Sequence, residues 1–206
     1  MRRALAVLLL IGAAAPAASA SVPPPRLFVI GDSLAYDNSR YLQQDLSGWK
    51  IEEDFSFART SQDTARDLRL RARAHPRLAP VIHVSSGTGD DPDHPERLRR
   101  SIRRVMRVAG EHRCVVWANI WRLRLEEPTF DTLNRVLAEE DAARPNLRVI
   151  DWHAMVEAHQ DWLVDLVHVN AEGNRARADA VAREARACRA SLKTAAPVPG
   201  PLPAGT

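Results

Sequence analysis

The chain has 206 residues, and its 45% hydrophobic content is that of a globular protein with room for one substantial core. Its 29 basic and 26 acidic side chains nearly balance, and the arginines are interspersed with acidic residues. This balance argues against a nucleic-acid partner. We expect a monomer.

The two ends of the chain differ in composition from the middle. Arg2 and Arg3 precede the apolar run ALAVLLLIGAAA and the small residues Ala18 to Ala20, so residues 1–20 are predicted to be a cleaved signal peptide. An uncleaved anchor is the alternative, but the apolar run is shorter than the roughly 20 residues that span a bilayer. Residues 193–206 are rich in proline and alanine and are predicted to be a disordered tail. We therefore expect a secreted, periplasmic or cell-envelope protein without a membrane span in the mature chain.

Between the ends, short apolar runs alternate with segments of helical period over residues 21–192. The predicted strands are Leu27–Gly31, Ile51–Phe57, Val81–Ser85, Cys114–Ile120 and Leu147–Asp151. The predicted helices are Ala35–Leu46, Ser61–Ala74, Pro95–Gly110, Pro128–Ala143 and Ala171 to about Leu192. This alternation predicts an α/β domain whose mainly parallel five-stranded sheet is covered on both faces. Ligands bind such sheets beyond the carboxyl ends of the strands.

A serine stands directly after the first predicted strand, in the turn Gly31-Asp32-Ser33-Leu34. A serine at a helix start is often only an N-cap, but a nucleophile at this position would face the positive end of the helix dipole. A nucleophilic serine needs a base and a carboxylate that orients the base. Asp165 and His168, just before the last helix, have a spacing that lets the carboxylate hydrogen-bond the imidazole.

These two blocks resemble those of the SGNH (GDSL) hydrolases, which carry Gly-Asp-Ser-Leu after the first strand and Asp-x-x-His before the last helix. The resemblance implies a flavodoxin-like three-layer α/β/α sandwich and serine-dependent ester chemistry. It implies that Ser33 is the nucleophile, His168 the base and Asp165 its orienting acid. More narrowly, the stretches FART (57–60), SSGTGDD (85–91) and VIDWHAM (149–155) are similar to extracytoplasmic domains of peptidoglycan O-acetyltransferases and related esterases.

Two positions depart from that family. Ala58 stands where the family has a glycine whose backbone N–H holds the oxyanion, and such a donor survives if the backbone tolerates a Cβ. The usual Gly-x-Asn of the third block is here Gly87-Thr88-Gly89, so an asparagine donor is missing. Losing one donor typically costs about 10²–10³ in rate. The expected oxyanion hole consists of Ser33, Ala58 and Gly89, although the favoured interpretation of Gly89 taken alone is a plain flexible turn.

Four further side chains are candidates for substrate binding, each with a structural alternative. Asp32 could tune Ser33 or stabilise the turn, and Arg59 could meet a substrate or form an ion pair. Trp121 and Trp152 could stack on sugar rings or pack in the core. The pair Asp151 and His153 is a weaker rival for the acid and base.

The two cysteines of this exported chain are predicted to form a disulfide. Cys114 opens the fourth strand and Cys188 shares the apolar stripe of the last helix, so both should face the interior, as a bond or as free thiols. The acidic segment near His94 has no metal-ligand spacing, so we predict no metal and no cofactor.

The sequence thus predicts a secreted serine esterase or O-acyltransferase that acts on small acyl esters such as acetyl esters. We expect an ester substrate, with an acylated cell-wall glycan as one candidate. The alternative from another class is a catalytically weakened protein of the same fold that binds a glycan or a protein, because the third-block asparagine is absent.

Overall fold

The computed structural model describes residues 22–75 and 77–194, so the predicted signal peptide and most of the predicted tail lie outside it. The described residues contain five strands in one parallel sheet of order β2-β1-β3-β4-β5. The strands are β1 (Arg26–Gly31), β2 (Lys50–Phe55), β3 (Val81–Ser85), β4 (Cys114–Ala118) and β5 (Leu147–Ile150). The helices are α1 (Ser33–Asp45), α2 (Ser61–Ala74), α3 (Pro95–Ala109), α4 (Asp131–Ala142), α5 (Trp152–Ala158) and α6 (Ala171–Thr194).

Two hydrophobic cores cover the two faces of the sheet. Side chains alternate along β1, so Leu27 and Val29 join the core beneath α1, α5 and α6, while Phe28 and Ile30 join the core beneath α2, α3 and α4. Each helical layer buries the apolar run that a parallel strand presents on that side. The predicted three-layer α/β/α sandwich is therefore confirmed, and its strand order is the flavodoxin-like one.

The structure differs from the prediction mainly at element ends. β2 stops at Phe55 because the chain turns at Ala58, which has a positive φ of 54°. α1 begins at Ser33 itself, and α6 continues to Thr194, two residues into the predicted tail. The seven-residue helix α5 and the 3₁₀ turn Gln160–Trp162 were not predicted, because they are too short for a periodic pattern.

The predicted disulfide is confirmed. Cys114 at the start of β4 is bonded to Cys188 in α6, with the two Cα atoms 5.6 Å apart, and both residues are buried. The bond ties the last helix to β4, the strand next to the β5 edge of the sheet. Within residues 22–75 and 77–194, none of the helices has the length and apolar character needed to cross a membrane.

Candidate active site

The turn from β1 into α1 holds Ser33 at the carboxyl edge of the sheet. A Cβ on Gly31 would lie 2.5 Å from the Cβ of Ala35. Only glycine therefore allows the chain to turn this tightly from β1 into α1. Asp32 caps α1, and its carboxylate accepts a hydrogen bond from the backbone N–H of Leu34 at 3.2 Å. Ser33, the first residue of the helix, is consequently half-buried at the positive end of the helix dipole.

The structure brings Ser33, His168 and Asp165 together in one hydrogen-bonded relay. Ser33 Oγ lies 2.8 Å from His168 Nε2, and His168 Nδ1 lies 2.8 Å from Asp165 Oδ2. The backbone N–H of His168 donates to Asp165 at 2.7 Å, and this bond is the main reason why the pKa of Asp165 is lowered to about 2. An ionised Asp165 holds the Nδ1 proton, which leaves Nε2 free to accept the proton of Ser33.

Short-range contacts hold the loop that carries His168. Val169 forms an antiparallel bridge with Leu163, and the Val164 N–H donates to the His168 carbonyl at 3.0 Å. Asn170 then accepts hydrogen bonds from the first backbone N–H groups of α6. The loop is therefore held on both sides of His168, while the imidazole itself contacts the Ser33 and Asp165 side chains.

An open cleft of about 470 Å³ lies in front of the relay. The residues that line it are Ser33, Asp37, Phe57, Ala58, Thr88, Gly89, Arg122, Val167 and His168. The cleft thus contains all three residues predicted for the oxyanion hole. A Cβ on Gly89 would stand 2.9 Å from the carbonyl oxygen of Ala58, so glycine is required where these two loops meet.

Two residues in the lining were not singled out by sequence reasoning. Asp37 is one helical turn beyond Ser33, and burial raises the pKa of its carboxyl group. Arg122 follows β4 and donates a hydrogen bond to the Thr88 carbonyl at 2.6 Å. The spacing of Asp37 from Ser33 along the helix could have indicated the first, and the position of Arg122 just after the fourth strand could have indicated the second.

Three of the four substrate-binding candidates do not face this cleft. Trp152 is 0% exposed and packs between Trp162 and Arg177, which is the core alternative. Trp121 packs partly buried against the core and lies against His153. The guanidinium of Arg59 is an ion-pair donor to Asp54 at 2.7 Å, and its side chain is 5% exposed. None of the three side chains lines the cleft, and the contacts of Trp152 and Arg59 are those of the structural alternatives, core packing and an ion pair.

Asp32, the fourth candidate, belongs to a buried polar network beneath Ser33. Its carboxylate accepts hydrogen bonds from Ser85 Oγ at 3.0 Å and from Thr88 Oγ1 at 2.7 Å. Ser85 Oγ in turn accepts one at 3.0 Å from Arg177, whose pKa is lowered to about 10 by burial. Asp32 is fully buried, so its contacts are those of the structural alternative. Sequence reasoning missed Arg177, because an arginine in a helix usually faces solvent.

The rival acid and base lie apart from the cleft. Asp151 caps α5 by accepting from the Ala154 N–H at 3.1 Å, and it also accepts from the Asn119 amide at 2.8 Å. The ring of His153 instead contacts the Ile120 carbonyl at 3.1 Å. These contacts are those of a helix cap and a packed histidine.

Solved structures with this architecture were found, whereas the chain matches no family model and no curated protein. The C-terminal catalytic domain of peptidoglycan O-acetyltransferase A from Streptococcus pneumoniae, solved with a methylsulfonyl adduct, aligns with a TM-score of 0.63 at 16% identity and covers 84% of this chain and 97% of that one.

A lipolytic protein of the G-D-S-L family from Veillonella parvula aligns with a TM-score of 0.62 at 16% identity, covering 77% of this chain and 96% of that one. The acetylxylan esterase Axe2 from Geobacillus stearothermophilus gives a TM-score of 0.59 at 16% identity, with 78% and 93% covered. The chain is similar to each of them over nearly their whole length. It therefore has the fold of the SGNH (GDSL) hydrolases.

Proposed function

We propose that the protein is an exported serine esterase or O-acyltransferase that acts on small acyl esters. The observation that carries this proposal is the relay of 2.8 Å contacts from Ser33 through His168 to Asp165 at the carboxyl edge of the sheet. The similarity to solved esterases and an O-acetyltransferase supports the same chemistry. The confirmed disulfide fits an oxidising compartment and so supports export.

In the proposed reaction, Ser33 Oγ attacks the ester carbonyl while its proton passes to His168 Nε2. The tetrahedral intermediate collapses to an acyl-serine when the C–O bond of the ester breaks, and the leaving alcohol takes the proton from His168. Water or a sugar hydroxyl then gives its proton to His168 and attacks the acyl-serine. Hydrolysis yields a free acid, whereas attack by a sugar hydroxyl yields a new ester, and both release Ser33 with its proton restored.

The negative charge on the intermediate would be held by backbone donors. The N–H groups of Ser33 and Ala58 are the proposed oxyanion hole, with Gly89 at the same cleft as the third predicted member. Because no asparagine stands at position 89, the proposed enzyme relies on the backbone for this step.

A chromogenic acetyl ester and a serine-directed fluorophosphonate probe test the proposal. The full chain should turn over the ester and be labelled by the probe, and Ser33→Ala should do neither. Ser47→Ala is the matched control, because Ser47 is an exposed serine in the turn after α1. If the unmutated protein neither reacts with the probe nor hydrolyses the ester, the weakened binding protein of the same fold becomes the better account.

A further inference from the structure

Three aromatic side chains form a shelf beside the nucleophile. Tyr36 meets Phe55 and Phe57 edge to face, with ring centroids 5.9 and 5.8 Å apart. Tyr36 is 57% exposed and Phe57 is 74% exposed. Neighbouring apolar rings that stay exposed to water are typical of a surface that binds a ligand.

Tyr36 and Phe55 of this shelf line a second cleft of about 640 Å³, which adjoins the first cleft at Asp37. Asp37 lines both clefts, and Phe57 of the first cleft touches Tyr36 of the second. A molecule whose ester carbonyl reaches Ser33 can therefore extend across Asp37 onto the aromatic shelf.

The second cleft offers hydrogen-bond acceptors and little positive charge. Asn170 and Asn174 form part of its wall. The carboxylates of Asp37 and Glu53 also line this cleft, against the single cation of Arg40. Ser39 and Gln43 already donate to Glu53, so Asp37 is the carboxylate that a donating ligand would meet, and the excess negative charge opposes a phosphate or carboxylate ligand.

We propose that this second cleft is a subsite for an uncharged sugar, which carries the ester or receives the acyl group at Ser33. Sugar hydroxyls would donate to Asp37, and a pyranose face would stack on Tyr36, with Phe57 beside it at the edge of the first cleft. A long acyl chain fits less well, because polar groups form most of this wall. The proposal rests on the proposed function and adds the class of alcohol on which it acts.

The test compares two kinds of substrate with the same set of variants. One substrate is a chromogenic acetyl ester, and the other is a panel of O-acetylated neutral oligosaccharides built from xylose, mannose or N-acetylglucosamine. The variants are Tyr36→Ala, Tyr36→Phe and, as a matched control, Leu70→Ala, which truncates an exposed apolar residue of α2 away from both clefts.

Tyr36→Ala should lower kcat/KM on at least one oligosaccharide about tenfold more than on the chromogenic ester, with the difference residing in KM. Tyr36→Phe keeps the ring and should retain most of the preference, and Leu70→Ala should behave like the unmutated protein. Equal losses on both substrates, or turnover of the chromogenic ester with no oligosaccharide accepted, would overturn the sugar subsite. Failure of the unmutated protein on the chromogenic ester and the fluorophosphonate would instead overturn the proposed function itself.

Discussion

Replacing Ala58 with glycine should stabilise the protein. Ala58 has a φ of 54°, in the left-handed region that costs a non-glycine residue about 1–2 kcal/mol. Ala58 is exposed, so removal of its methyl group sacrifices little packing. Glycine also increases the conformational entropy of the unfolded chain, which favours the unfolded state by about 0.4–1 kcal/mol and offsets part of this gain. The net gain in unfolding free energy should be about 0.5–1 kcal/mol.

Urea denaturation of the two proteins measures this difference directly, and the m-value should stay the same because the surface exposed on unfolding is unchanged. The melting temperature should rise by about 1–4 °C for a domain of this size. Ala138→Gly is the matched control, because Ala138 is an exposed residue inside α4. The same chemical change should there destabilise the protein by about 1 kcal/mol. If Ala58→Gly destabilised the protein as Ala138→Gly does, the inferred strain at position 58 would be wrong.

Three further predictions test the remaining interactions. Replacing both Cys114 and Cys188 with alanine removes a covalent link between residues separated by 74 positions. The unfolding free energy, measured by urea denaturation, should fall by about 4 kcal/mol. An unchanged denaturation midpoint would contradict this. Asp165→Asn should lower kcat on the chromogenic ester by roughly 10³–10⁴. Since its folded pKa of about 2 lies below the ordinary 3.8, Asp165 stabilises the fold above pH 4, and the melting difference between this variant and the unmutated protein should shrink as pH falls toward 2. Arg177→Met leaves Asp32 without its buried cation and should cost about 3 kcal/mol, and adding Asp32→Asn should restore part of this loss.

The strands and the position of the nucleophile could be predicted because local sequence dictates them. Parallel strands buried on both faces appear as continuous apolar runs, and β3 was predicted with the bounds that the structure has. Gly31 permits the tight entry into α1, and Asp165 hydrogen-bonds a residue only three positions away. The spacing from Asp165 to His168 is therefore visible in the sequence, whereas their approach to Ser33 follows only from the sheet order.

The side chains that line the clefts could not be predicted, because the exposure of a side chain at a strand end depends on its contacts in three dimensions. Trp152 begins the unpredicted helix α5, whose cap turns the indole into the core. The guanidinium of Arg59 forms an ion pair with Asp54, which lies in β2 five positions earlier. Conversely, Tyr36 has the spacing of an ordinary helix residue, and its exposure beside Phe57 is visible only in three dimensions.

The two departures from the family pattern are coupled through one contact. A Cβ at position 89 would lie 2.9 Å from the carbonyl oxygen of Ala58, so an asparagine there could enter only if the loop of Ala58 moved away from Ser33. The left-handed backbone of Ala58 brings that carbonyl toward Gly89 while the Ala58 residue lines the cleft. Close packing of the two loops is therefore incompatible with a side-chain donor at position 89. We infer that position 89 carries no asparagine because the two loops pack this closely. The proposed oxyanion hole then consists of backbone N–H donors alone.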